Sequence, residues 1–150
     1  GKDISIIAMS YMVIEAIHAA KFLSSQGISC EIIDLRTVSP IDYIAIFKSV
    51  RKTKNVIVLD TGTLDGSISA EIVSKIIEKL WNNLGSKPER LAMPNFPEGT
   101  SFALTKDYHV TSKDIALKIS QILKKEVVID NTFDKDHPHD VPGDWFSGPF

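Results

Sequence analysis

The sequence predicts an α/β domain: three layers, α/β/α, on a mainly parallel sheet of four strands in the order 2-1-3-4. Three observations carry this. Short, nearly continuous apolar runs, as expected of strands covered on both faces, alternate with stretches whose apolar residues recur at helical spacing. The connections are short enough to favour neighbouring strands, with right-handed crossovers placing helices on both faces. The composition, 43% hydrophobic and 24% charged over 150 residues, suits one domain with room for a core.

Ile4 to Met9 is the first strand. A helix of about fifteen residues follows, with Val13, Ile17 and Ala20 on one apolar stripe and Met12, Ala16, Ala19 and Leu23 beside it. Gly27 closes it as the residue past the C-cap. Ser29 to Leu35 is the second strand. Ser39-Pro40-Ile41-Asp42 then predicts a helix start, with Ser as N-cap, Pro at the first position and a carboxylate facing the dipole. Ile41, Ile44, Ala45, Phe47 and Val50 supply its buried side.

Asn55 to Asp60 is the third strand, and Thr61 to Gly66 a loop. Ser67 caps a long helix whose Ile68, Ile72, Ile76, Leu80 and Leu84 step by four, ending at Gly85. Leu91-Ala92-Met93 is a short fourth strand, stopped by Pro94 and Pro97. Thr111-Ser112-Lys113-Asp114 has capping-box spacing with Asp in place of Glu, and Ile115, Ile119, Ile122 and Leu123 face the core from the last helix.

Charge divides the chain in two. Residues 1–125 carry 16 basic and 13 acidic side chains; residues 126–150 carry 1 and 6, with three of the seven prolines. This predicts a domain over 1–125 and an acidic, Pro- and aromatic-containing tail over 126–150. The near-neutral total of −2 argues against nucleic-acid binding. No stretch approaches the roughly 20 apolar residues of a membrane helix. One cysteine, Cys30, excludes an internal disulfide and a cysteine zinc cage. The expected compartment is the cytoplasm. The opening Gly1-Lys2-Asp3, without Met, predicts a processed or excised piece of something larger.

In an open α/β sheet a ligand sits beyond the carboxyl ends of the strands, near the switch in winding. Those ends are Met9-Ser10-Tyr11, Leu35-Arg36-Thr37 and Asp60-Thr61-Gly62. No glycine-rich dinucleotide or phosphate fingerprint follows the first strand. The segment Gly62–Gly66 precedes a helix and could hold an anion, but a turn needing Gly at positive φ accounts for it. His18 and His109 read as structural. His137-Pro138-His139-Asp140 resembles a metal tract without a rigid frame. Cys30, inside a strand, reads as an inert thiol. No Ser-His-Asp, Cys-His or paired-carboxylate arrangement is visible. The reading assigns no catalytic, cofactor-binding or metal residue.

The segments Gly1–Ile7, Met12-Val13, Ala16, Ala19-Ala20, Leu23, Gly27-Ile28 and, most specifically, Glu31-Ile32-Ile33-Asp34-Leu35-Arg36-Thr37-Val38-Ser39-Pro40-Ile41-Asp42 resemble the C-terminal domain of transketolase-like thiamin-diphosphate enzymes. Ser49–Thr53, Ser69–Ile72 and Pro94–Ser101 continue the likeness, over roughly residues 1–125. The nearest form is the β subunit of the decarboxylase component of 2-oxo acid dehydrogenases of the pyruvate, branched-chain or acetoin type. The resemblance implies a domain that binds no cofactor itself, in a parent enzyme using thiamin diphosphate and Mg²⁺. The implied partners are a second β subunit, an α subunit and the subunit-binding domain of the acyltransferase core. It also implies that the family's antiparallel edge strand, which precedes this segment, is missing here.

Asp60 and Asp65-Gly66-Ser67 depart from the pattern of many relatives, where Glu and a Gly-Gly or Gly-Phe-Gly stand. Arg36, Asp60, Thr61, Gly62, Trp145 and Phe146 are the possible interface residues. Arg36 either serves an interface or is tied to a neighbouring carboxylate; the tail either wraps onto another subunit or stays disordered. The alternatives are the C-terminal domain of a transketolase or deoxyxylulose-phosphate synthase, or a non-enzymatic α/β module for an anion or a protein.

Overall fold

The computed structural model describes residues 1–129. Four strands, β1 (Ile4–Ala8), β2 (Cys30–Asp34), β3 (Val56–Thr63) and β4 (Glu89–Met93), form one sheet in the order β2-β1-β3-β4. Every pairing among the described residues is parallel, with Ile6 opposite Ile32 on one side and Ile57 on the other. The connections are α1 (Tyr11–Ser25), α2 (Tyr43–Thr53) and α3 (Ile68–Leu80); α4 (Phe102–Thr105) and α5 (Ser112–Leu123) follow β4.

Alternation along β1 and β3 builds two cores. Ile4, Ile6, Ala8, Ile57 and Leu59 face α1 and α5; Ile7, Val56 and Val58 face α2 and α3. All eight are fully buried, which fits strands sandwiched between helical layers. The three-layer order expected from the sequence is the one observed.

Helix α1 turns the stripe Met12, Ala16, Ala19, Leu23 to the sheet and leaves Ile17 about half exposed (51%). Of the two stripes legible in the sequence, only one is therefore core. At its end the Gly27 N–H bonds to the Ser24 carbonyl and the Ile28 N–H to that of Leu23, with Gly27 at φ +76°. This is the six-to-one and five-to-two pairing of a Schellman motif, and Ile28 is buried with Leu23 as such ends favour.

Helix α2 starts later than Ser39-Pro40 suggested. The Asp42 carboxylate is itself the cap, accepting from the Ala45 N–H at 3.0 Å, and Ser39-Pro40, joined by a cis peptide, belongs to the preceding turn. As α2 docks on the sheet it buries Ile46, Ser49, Val50 and Thr53, with Ile41 and Phe47 partly buried beside them, so Ile44 stands 83% exposed. Helix α3 stops at Leu80 and passes into a 3₁₀ turn at Trp81–Asn83, short of Gly85. The capping box of α5 forms as expected: the Asp114 N–H donates to Thr111 Oγ1 and the Thr111 N–H to Asp114 Oδ2.

Candidate functional site

The carboxyl ends of β1, β2 and β3 open into a groove of about 600 Å³. It lies where the chain leaves β1 for one side and β3 for the other, the expected place for a ligand in such a sheet. Its walls are Met9, Ser10, Val13, Ile14, Asp34, Leu35, Arg36, Val38 and Thr61.

Ser10 carries the sharp step from β1 into α1, at φ 51° and ψ −135°, a region costly for a residue with a Cβ. Its carbonyl accepts the Val13 N–H at 3.0 Å, so the helix begins at once. Across the groove, Arg36 Nε donates to Asp34 Oδ2 two residues away. Arg36 is 85% exposed, so this pair fixes the turn at little net energy. Thr37 Oγ1 donates to the Pro40 carbonyl at 2.8 Å and closes the same turn.

Asp60 is buried, and its two oxygens accept the Gly62 N–H at 3.0 Å and the Ser69 N–H at 3.1 Å. The second bond caps α3 in place of Ser67, whose side chain makes no cap bond. The segment after Asp60, expected as a loop, continues β3 to Thr63 across an irregularity in its register with β4. Gly66, at φ +72°, supplies the turn, while Gly62 needs no positive φ. Thus the groove brings together Arg36 and Thr61; Asp60 and Gly62 serve the turn into α3. Trp145, Phe146 and the His137–Asp140 tract lie outside the described residues.

Two buried polar features escaped the sequence reading. Glu15, on α1, accepts from the Tyr11 hydroxyl at 2.9 Å and from the Ser112 N–H, at the start of α5, at 2.5 Å. Burial and the Glu15 charge push the Tyr11 hydroxyl well above its ordinary pKa. Ser5 Oγ shares hydrogen bonds of 2.7 Å with both Ser49 Oγ and Thr53 Oγ1, joining β1 to α2. The signal for the second was present: Ser49 and Thr53 stand four apart on the helix, opposite a lone Ser in an apolar strand. Elsewhere, burial raises the Cys30 thiol to about 11, consistent with an unreactive side chain. His109 Nε2 lies 2.8 Å from Glu98 Oε1.

A magnesium diphosphate needs several convergent oxygen donors. The groove offers an Asp34 already engaged with Arg36, and its other walls are largely apolar, so these residues do not fit such a group. Among the described residues no cluster of three or more His, Cys, Asp or Glu could hold a metal ion, and no helix is long and apolar enough to cross a membrane.

The fold and groove define a doubly wound α/β domain with an apolar, open surface at its switch point. A family model, transketolase C-terminal domain, matches residues 1–115, and the chain belongs to that family. It is similar to the pyruvate dehydrogenase E1 component subunit beta of Mesostigma viride, 35% identical over 127 residues, covering 85% of this chain and 39% of the relative. The mitochondrial pyruvate dehydrogenase E1 component subunit beta-1 of Oryza sativa subsp. japonica is 40% identical over 97 residues, covering 65% of this chain and 26% of the relative. The beta subunit of an acetoin:2,6-dichlorophenolindophenol oxidoreductase from Cupriavidus necator is 32% identical over 124 residues, covering 83% and 37%. Among solved structures, a split-gene transketolase described as an inactive beta4 tetramer superposes with a TM-score of 0.70 at 26% identity, covering 83% of this chain and 40% of that one. The chain thus spans about a quarter to two fifths of the length of these relatives.

Proposed function

We propose that this chain is the C-terminal assembly domain of a thiamin-diphosphate-dependent 2-oxo acid dehydrogenase β subunit, with the domain in residues 1–125 and an appended tail in 126–150. The parent enzyme decarboxylates a 2-oxo acid and acylates a lipoyl group. This segment pairs β subunits and meets the α subunit and the subunit-binding domain of the acyltransferase core. One observation carries the reading: at the strand ends, Asp34, Arg36 and Asp60 are engaged in local turns, while Val38 stands 52% exposed beside them. Such a surface suits protein contact better than catalysis. Arg36 and Thr61, on the groove wall, are the interface residues we propose from this site. The cytoplasm is the compartment proposed; the mitochondrion named for the rice relative is the other.

Calorimetric titration with thiamin diphosphate and Mg²⁺ tests the reading directly. No heat of binding is expected, and no oxo-acid turnover by this chain, with turnover appearing when a full-length β subunit joins its α partner. Stoichiometric cofactor binding by this chain would overturn the assignment. The likeness to a split-gene transketolase favours a second reading, the C-terminal part of a transketolase. Ketol transfer between sugar phosphates by the reconstituted parent, without oxo-acid oxidation, would select it.

A further inference from the structure

We propose that the outer flank of α3 and the open edge of β4 form one face, on which a second copy of this chain docks about a twofold axis. The proposal rests on the reading that β subunits pair through this segment, and it names the surface; the strand-end groove is left to other partners. Helix α3 has two apolar stripes. Ile72, Ile76 and Leu80 are buried against the sheet. Ala70, Val73, Ile77 and Trp81, three and four residues apart, share the flank beside them. Val73 is half-buried, while Ile77 is 37% and Trp81 66% exposed. Helix α2 lies along the other flank, where the charges of Glu71 and Lys75 act on Tyr43. Among the described residues, α2 and α3 are the helices that build the core on this side of the sheet.

Below that flank the sheet ends. Strand β4 pairs with β3 and, among the described residues, with no other strand. Leu91 packs into the α1–α5 core, so Arg90 and Ala92 turn to the α3 side by alternation. Ala70, Val73, Ser74, Ile77, Glu78 and Arg90 line a cavity of about 340 Å³ there. The Arg90 guanidinium donates to the Leu64 carbonyl at 2.8 Å, which holds it at the floor. An edge strand carries unpaired N–H and C=O groups, and their natural complement is another strand.

The face is complementary to itself. A twofold axis crossing between residues 75 and 76 sets two copies of α3 antiparallel. Ala70 then stands opposite Trp81, a small side chain against a large one, and Val73 opposite Ile77. Because α3 joins two parallel strands it runs antiparallel to β4, so the same axis brings the two β4 edges together antiparallel. The two sheets can thus join into one. The charges lining the face are Arg90 and Glu78, one of each sign, so two copies meet without an excess of like charge. A surface matched to itself in side-chain size and in charge favours a second copy over an unrelated protein.

Sedimentation of the full chain over a concentration series tests this. A reversible monomer–dimer equilibrium is expected, weakened at least about tenfold by Ile77→Glu and by Trp81→Ala. Trp81 is the more exposed of the two, so its variant keeps the test open should Ile77→Glu fail to fold. Ile44→Glu, at the exposed apolar residue of α2, should leave the equilibrium unchanged. With Cys30→Ser and Ser74→Cys, a nitroxide on the introduced thiol should report one distance between copies of about 10–25 Å, since packed helices lie about 8–10 Å apart. A monomer throughout, a dimer indifferent to both α3 variants, or a longer distance overturns the proposal. The functional reading fails by a different result, stoichiometric binding of thiamin diphosphate, so the two failures are distinguishable.

Discussion

Toward α1 and α5 the core buries a carboxylate, Glu15; toward α2 and α3, beside the Asp60 cap of α3, it buries a trio of hydroxyls, Ser5, Ser49 and Thr53. Among the buried residues Ile and Leu recur on both sides, with Ala and Met toward α1 and α5 and Val toward α2 and α3. The difference lies in what each group holds. Glu15 answers an orphan N–H at a helix N-terminus, where negative charge is favoured. The hydroxyls answer one another and the backbone, with Thr53 Oγ1 also reaching the Ser49 and Asn55 carbonyls. A charged group inside a core can thus position a distant element, whereas neutral ones mainly fill and satisfy a contact already made by packing.

Adjacent positions on β3 test whether the two apolar cores are truly equivalent. Ile57→Ala, on the α1–α5 side, should lower unfolding free energy by about 2–5 kcal/mol, and Val58→Ala, on the other, by about 2 kcal/mol, as urea unfolding would measure. A Val58 variant costing more than the Ile57 variant would break the equivalence. The next effect is Glu15→Ala, expected to cost about 1.5–3 kcal/mol, because it orphans the Ser112 N–H. Glu15→Gln should recover part of it, and hydrogen exchange at the start of α5 should quicken in both.

Ser5→Ala should cost only about 1 kcal/mol, since Thr53 Oγ1 keeps the Ser49 and Asn55 carbonyls as partners. A loss as large as that of Glu15→Ala would dissolve the contrast. The smallest effect lies outside both cores. Glu31, hydrogen-bonded by Lys52, has its pKa lowered to about 2. A depressed carboxyl stabilises fully above its unfolded value of about 4.3 and loses that contribution as pH falls through about 2. Stability should therefore decline between those limits, and Lys52→Ala should flatten the decline in a series of urea midpoints.

Much of this was legible in the residues. The four strands in the order 2-1-3-4, the Gly27 stop and the Thr111–Asp114 box were set by local pattern and stand as expected, except that β3 runs on past Asp60 to Thr63. The misplaced details share a cause. Both α1 stripes have helical spacing, and only the position of the sheet decides that Met12 is core while Ile17 faces out. Ser39-Pro40 satisfies every local rule for a helix start, yet Asp42 caps closer to the apolar stripe. Asp60 caps α3 from nine residues away, and Glu15 meets Ser112 across 97, separations at which local pattern carries no information. At the groove, the strand ends could be placed from sequence, but whether Arg36 and Asp60 were free or engaged could not.

The 97-residue span between Glu15 and Ser112 also bears on how the chain leaves the ribosome. Helix α1 is synthesised early, but the layer that covers its flank is almost the last part of the domain to be made. At about 5–20 residues per second, the side of α1 destined for α5 waits about 5–20 s for its cover. During that interval the nascent domain presents a half-clothed apolar helix beside a sheet already able to pair, the state in which a chaperone has most to hold.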